Sequence, residues 1–280
     1  MLCRSLLRLA SLLLALVFLQ APAITSAQTS SLKISSPAQI QADFGTVPCE
    51  DKERLSAVRS LFERAGVPAS EIRIDRYKSV ENLVVIKKGE SPEKIVIGAH
   101  YDKVAKGCGA IDNWTGVVAL SHLYRTLKDV PLKKTLVFIA FGKEEIGLIG
   151  SRAMTRALSK EQAAGYCAMI NIDSLGLTSP QVADNMSSRK LAEFVGELAN
   201  EMKIPFAHAI VKRGDSDSSS FVAKQIPAVT IHGMNSDWRK VLHTEDDQAS
   251  KVNPTSVYLG YKLALQMVVR LDQSLCTAYR

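Results

Sequence analysis

Seven residues of this chain stand just past short apolar runs or in the loops that follow them: His100, Asp102, Asp112, Glu144, Glu145, Asp173 and His243. If those runs are neighbouring strands, two imidazoles and five carboxylates meet beyond one edge of one sheet. Carboxylates crowded into a partly dry site repel one another by about several kcal/mol unless cations lie among them. Oxygen donors mixed with imidazole suit zinc, with manganese or cobalt as alternatives. Two ions about 3.5–4 Å apart would polarise a carbonyl and acidify a trapped water. One histidine and one carboxylate can hold each ion, and a shared carboxylate can bridge them. A further carboxylate would accept the water's proton. Glu144 and Glu145 can divide ligation and proton transfer between them, because neighbouring residues point different ways.

The elements that must position these groups read as alternating strands and helices. Leu55, Val58, Leu61, Phe62 and Ala65 have helical spacing. Segments 72–77 and 82–86 read as two strands of a hairpin or meander. Segments 94–100, 135–141, 168–173, 206–211 and 228–231 read as further strands, and the unbroken apolar run at 135–141 marks a strand buried on both faces. Helices are expected over 117–127, 188–203 and from Asn253-Pro254 to about 272, with a helical turn at 219–224. This order implies an α/β fold, a mostly parallel mixed sheet with helices on both faces. Residues 28–45 are polar and turn-rich and read as a flexible N-terminal arm. No linker, repeat or low-complexity tract interrupts 46–280, which reads as one domain.

The segments His100-Tyr101-Asp102, Gly109–Gly116 (with Asp112-Asn113), Phe141–Ser151 (with Glu144-Glu145), Asn171-Ile172-Asp173 and His243–Asp247 closely resemble the zinc aminopeptidases of peptidase family M28. They occur in that family's order and span roughly residues 46–270. The resemblance implies a zinc-exopeptidase-like three-layer sandwich holding two Zn²⁺ ions. Asp112 would bridge them. His100 and Asp173 would complete one site, and Glu145 and His243 the other. Glu144 would be the general base and later the proton donor to the leaving amine. Asp102 would orient His100, and the family also implies a strained or cis peptide after Asp112. The substrates implied are peptides with a free N-terminus.

Where the family reads Ser-Asp-His, this chain reads Ser216-Asp217-Ser218. No tyrosine can be assigned to steady an oxyanion, so Arg213 or a serine of that loop is the candidate. Met234, Trp238 and Arg239 precede His243 and are expected, with Arg213, to wall a substrate pocket. His122 and His208 read as structural histidines, and His232 as a neighbour of the site. Asp246 and Asp247 are expected to be exposed. Two rival readings remain: a glutaminyl-peptide cyclase relative with one zinc, and a non-catalytic binding module on the same fold. All five implied ligands are present, which argues against the latter.

The remaining signals concern compartment and partners. Arg4 and Arg8, the apolar run Leu9–Leu19, and small residues at 21–23 or 25–27 read as a signal peptide over 1–27, which implies a secreted or periplasmic protein. That run spans about 16 Å as a helix against a hydrocarbon core of about 30 Å, so no stable membrane anchor is expected. Export permits disulfides among Cys49, Cys108, Cys167 and Cys276 in any of three pairings, and Cys167 can equally be a buried free thiol. The chain has 280 residues, 46% hydrophobic and 22% charged, with a net charge of +7. This supports a sizeable core and excludes a disordered or small disulfide-scaffold chain. The basic excess is mild and has no dense Lys/Arg run, so nucleic acid is not an expected partner.

Overall fold

A computed structural model of the protein describes residues 32–280. The expected signal peptide lies outside these residues. No helix among the described residues is long and apolar enough to cross a membrane.

An eight-stranded mixed sheet forms the centre of the fold. Its strands are β1 (Arg73–Tyr77), β2 (Val80–Lys87), β3 (Lys94–His100), β4 (Thr135–Phe141), β5 (Tyr166–Ile172), β6 (Gln181–Ala183), β7 (Ala207–Ala209) and β8 (Ala228–His232), in the order β1-β2-β4-β3-β5-β8-β6-β7. The middle four, β4-β3-β5-β8, are parallel. Antiparallel pairing joins β1 to β2, β2 to β4 and β6 to β8.

The parallel strands are apolar throughout because both of their faces are covered. On β4, Leu136, Phe138 and Ala140 enter one core, and Val137, Ile139 and Phe141 enter the other. The first core is closed by α1 (Pro37–Phe44), α2 (Asp51–Ala65), α3 (Thr115–Leu127), α6 (Arg189–Glu201) and α8 (Pro254–Gln273). The second is closed by α4 (Ile149–Ala157), α5 (Lys160–Ala164) and α7 (Ser218–Ala223), through Met154, Ala163 and Phe221. The expected α/β sheet with helices on both faces is therefore present.

The structure departs from the sequence reading at several elements. Residues 37–44 are a helix rather than a loose arm: Ser36 and Gln39 form a capping box, and Ile40 and Phe44 are buried. The strand expected over 206–211 shrinks to Ala207–Ala209, which pairs only with β6 at the sheet edge, while Ile210 is 70% exposed. Helices α4 and α5 and strand β6 were not expected.

The cysteines pair as Cys49–Cys108 and Cys167–Cys276. Cys167 is thus not a free thiol. The first bridge ties the start of α2 to the loop that leads into Asp112.

Candidate metal centre

Register brings the candidate groups to one edge. His100, the last residue of β3, lies opposite Phe141, the last of β4, and Ile172 of β5 lies opposite Ile231 of β8. Asp102, Glu144, Glu145 and Asp173 emerge just beyond those ends. Asp112 comes from the turn 110–114 that starts α3, and His243 from the long connection after β8.

Asp112 is the centre of the cluster. His100 Nε2 lies 3.1 Å from its Oδ1, and His243 Nε2 lies 3.0 Å from its Oδ2. Asp173 Oδ1 is 3.5 Å from His100 Nε2, and Glu145 Oε2 is 3.1 Å from His243 Nε2. The two histidines therefore flank the two oxygens of one carboxylate, each with a second carboxylate of its own. His100 Nδ1 faces the backbone carbonyl of Asp102 at 3.2 Å, a bond that leaves Nε2 as the nitrogen turned to the cluster.

The structure adds a second role for Asp102. Its carboxylate is 3.6 Å from His100 Nδ1 but accepts hydrogen bonds from the amides of Glu144 (3.0 Å) and Glu145 (3.2 Å). One aspartate thus fixes both the β3 end and the β4–α4 loop. Lys143, Gly147 and Leu148 of that loop have positive φ, as do Ser174 and His243. Left-handed backbone at so many non-glycine residues is strain of the kind that gathers at functional sites. The peptide bond between Asp112 and Asn113 is cis. The Asn113 side chain donates to Ile172 O and accepts from the amides of Gly116 and Ser174. Gly116 is required there, because a Cβ would lie 2.3 Å from Asn113 Oδ1 and 2.5 Å from Ile172 O.

Electrostatics follow from burial. Burial opposes ionisation of Asp112, but hydrogen bonds from His100 and His243 hold its carboxyl well below the usual range. Burial pushes the Glu144 carboxyl well up, against the pull of His100 and with help from Asp173, Asp217 and Asp112. Glu145 is pushed up to about 7 by burial and by Asp112. His243 is raised to about 10 by its bonds to Asp112 and Glu145.

The donor set suits a metal. His100, Asp112 and Glu145 offer donor atoms all within 4.8 Å of one another, and so do His100, Glu144 and Asp173. Glu145 Oε1 is buried with no hydrogen-bond partner. A buried carboxylate oxygen without a donor is costly unless a cation meets it.

A cavity of about 410 Å³ opens over this cluster. The expected wall residues Arg213, Met234, Trp238 and Arg239 all line it, together with Asp112, Glu144, Glu145, Asp173 and His243. Its apolar side is Ala183, Met186, Val211, Met234 and Trp238. Arg239 stacks on Trp238 at 4.2 Å. His100 and Asp102 lie beneath the cavity rather than in its wall.

Four further residues were missed or misread. Asp247, expected to be exposed, is buried and accepts from the amides of Ile111 (2.7 Å) and Asp112 (3.2 Å). Arg54 is fully buried and stacks on Trp114. It donates to the carbonyls of Tyr101, Pro48 (3.2 Å), Cys108 (2.9 Å) and Gly109 (3.2 Å). Ser216 donates to Asp173 Oδ2 at 2.5 Å. Asp217, next to Ser218 where the chain departs from the family's Ser-Asp-His, is buried without a partner for either oxygen, and burial pushes it up to about 7. An arginine among helix-spaced apolar residues was the only advance signal, for Arg54.

The model of peptidase family M28 matches residues 82–268 of this chain. The chain belongs to that family. Among relatives of this M28 chain, aminopeptidase YwaD of Bacillus subtilis (strain 168) is 37% identical over 99 residues, 34% of this chain and 22% of that protein. The chain spans about a fifth of the length of the curated relatives it matches. The solved structure of BSAP, a zinc aminopeptidase from Bacillus subtilis, superposes with a TM-score of 0.62 at 24% identity, covering 71% of this chain and 52% of that one. A glutaminyl cyclase from an Acidobacteriales bacterium superposes with a TM-score of 0.74 at 17% identity, covering 91% and 99%. At such identities these two structures establish the shared fold.

Proposed function

We propose that this chain is an exported di-zinc aminopeptidase that removes N-terminal residues from peptides. The observation that carries the reading is the two-sided Asp112, with a histidine and a second carboxylate at each oxygen. Asp112 would bridge two ions, His100 and Asp173 completing one site and Glu145 and His243 the other. Ions held there supply Lewis-acid polarisation of the scissile carbonyl and acidification of water.

The chain's own residues do the rest. Glu144 sits in the cavity wall, and its raised affinity for a proton suits a base that takes the water's proton and returns it to the leaving nitrogen. Asp102 fixes Glu144 through its backbone amide. The apolar wall of Met186, Val211, Met234 and Trp238 takes the side chain of the N-terminal residue. Arg213, on the same wall, is the candidate to steady the oxyanion.

Substitution Glu144→Gln tests the reading. Release of leucine from leucine amide should fall by about a hundredfold to ten-thousandfold while bound zinc is retained. A variant as active as the parent removes Glu144 as the base. The cyclase reading expects one zinc per chain and pyroglutamate from an N-terminal glutamine. Metal content near two, with hydrolysis alone, excludes it.

A further inference from the structure

A second cavity, of about 610 Å³, lies beside the first. It runs between the turn joining β1 to β2 and the exposed side of α4. Gly147 and Arg152 line both cavities, so the two adjoin at these residues. Tyr77, Val80 and Ile149 form apolar walls. Lys78, Arg152 and Arg156 supply three cations, and no acid lines this groove. Lys78 and Arg156 have no ion-pair partner within 4.0 Å among the described residues, and Arg152 reaches only Asp215, at 3.9 Å. The metal cavity differs in carrying acids, Asp112, Glu144, Glu145 and Asp173, as well as the cations Arg152, Arg213 and Arg239.

The catalytic assignment fixes which end of a peptide lies here. Glu144 returns its proton to the leaving nitrogen, so the leaving residue lies on the side of the loop 142–148. That loop supplies Gly147, the doorway to the second groove. The N-terminal side chain takes the apolar wall at Met186 and Val211, which line the first cavity and not the second.

We propose that the leaving part of the substrate extends past Gly147 into this groove, where Lys78, Arg152 and Arg156 receive its C-terminal carboxylate. The groove makes the protein a selector of short peptides with a free carboxyl end. The inference rests on the aminopeptidase reading and adds a second recognition point to it. A groove of this volume lies within the ordinary range of ligand pockets. Its cations are solvent-exposed, so each contributes a factor of about 1.5 to 5 and salt weakens all three.

The test compares leucyl-glycine peptides of two to five residues as free acids and as C-terminal amides, with the zinc-loaded protein at low ionic strength. For at least one length, kcat/KM of the acid should exceed that of the amide by about tenfold, mainly through KM. The ratio should shrink as salt rises toward about 0.5 M. The double substitution Lys78→Gln and Arg156→Gln should bring it to within about twofold of unity. Both side chains are exposed, and a thermal melt checks that the variant folds. A wild-type ratio near unity at every length, or one unchanged in the double variant, overturns the groove and leaves the aminopeptidase reading standing. Failure to cleave any of these peptides or leucine amide overturns both.

Discussion

Two buried histidines of this protein, His100 and His122, each pair with an aspartate, yet they sit in opposite situations. His122, on α3, meets Ser35 Oγ at 2.8 Å and Asp43 Oδ2 at 3.0 Å, and Asp43 is also held by Arg64 at 2.9 Å. Donors and acceptors balance, and α1 closes the cluster against the core. His100 faces Asp112 and Asp173 beside Asp102, with Glu144 and Asp217 adding to the field around it. There acid outnumbers base, a buried carboxylate oxygen is unpartnered, and a cavity opens above. A buried histidine-aspartate pair is therefore a structural device by default. What marks a site for ions is the surplus of negative groups around it.

Breaking the surplus should have the largest effect. Asp112→Asn leaves the imidazoles without their shared partner. Zinc per chain, by metal analysis, should fall by at least one, with a loss of hydrolysis of about a thousandfold or more. The balanced cluster should respond differently. His122→Ala removes one buried and one partly buried hydrogen bond and should lower stability by about 2–3 kcal/mol in denaturant unfolding, with zinc content unchanged. Loss of zinc from that variant would show that the two regions are coupled. The smallest effect sharpens the comparison by pH. Hydrogen bonds to Asp112 and Glu145 raise His243 to about 10, and burial beside Asp112 raises Glu145 to about 7. Zinc must displace both protons, so affinity should rise as pH increases from 6 toward 10. Calorimetry at about pH 6.5 in two buffers should detect about one to two protons released per chain. Release of none would contradict the ligand set.

The central strands and the clustering of the candidate ligands were legible because both are written locally. Double-sided burial produces the unbroken apolar runs of β3, β4 and β5, and the polar residues that end them are candidates by position alone. What was illegible depends on distant partners. Asp247 sits in an acidic stretch that reads as solvated, and only the amides of Ile111 and Asp112 account for its burial. Ser216 and Asp217 stood out only as part of a segment resembling the family's Ser-Asp-His, and the bond from Ser216 to Asp173 was not expected. Helix α4 buries Gly150, Ser151 and Thr155 with Met154 as its one large apolar residue, so no hydrophobic stripe announces it. Helix α1 buries only Ile40 and Phe44, although its capping box is written in Ser36 and Gln39. The cysteine pairing depends on which chain ends meet, and spacing does not encode that.

The stretch from His243 to Asp247 works as a two-ended latch. One end places an imidazole against Asp112, and the other grips the backbone that carries Asp112. The five-residue length of that stretch is thereby fixed. Inserting even one residue would shift either the imidazole or the grip. The turn between β1 and β2 bears on neither, and an added residue there would leave the latch closed.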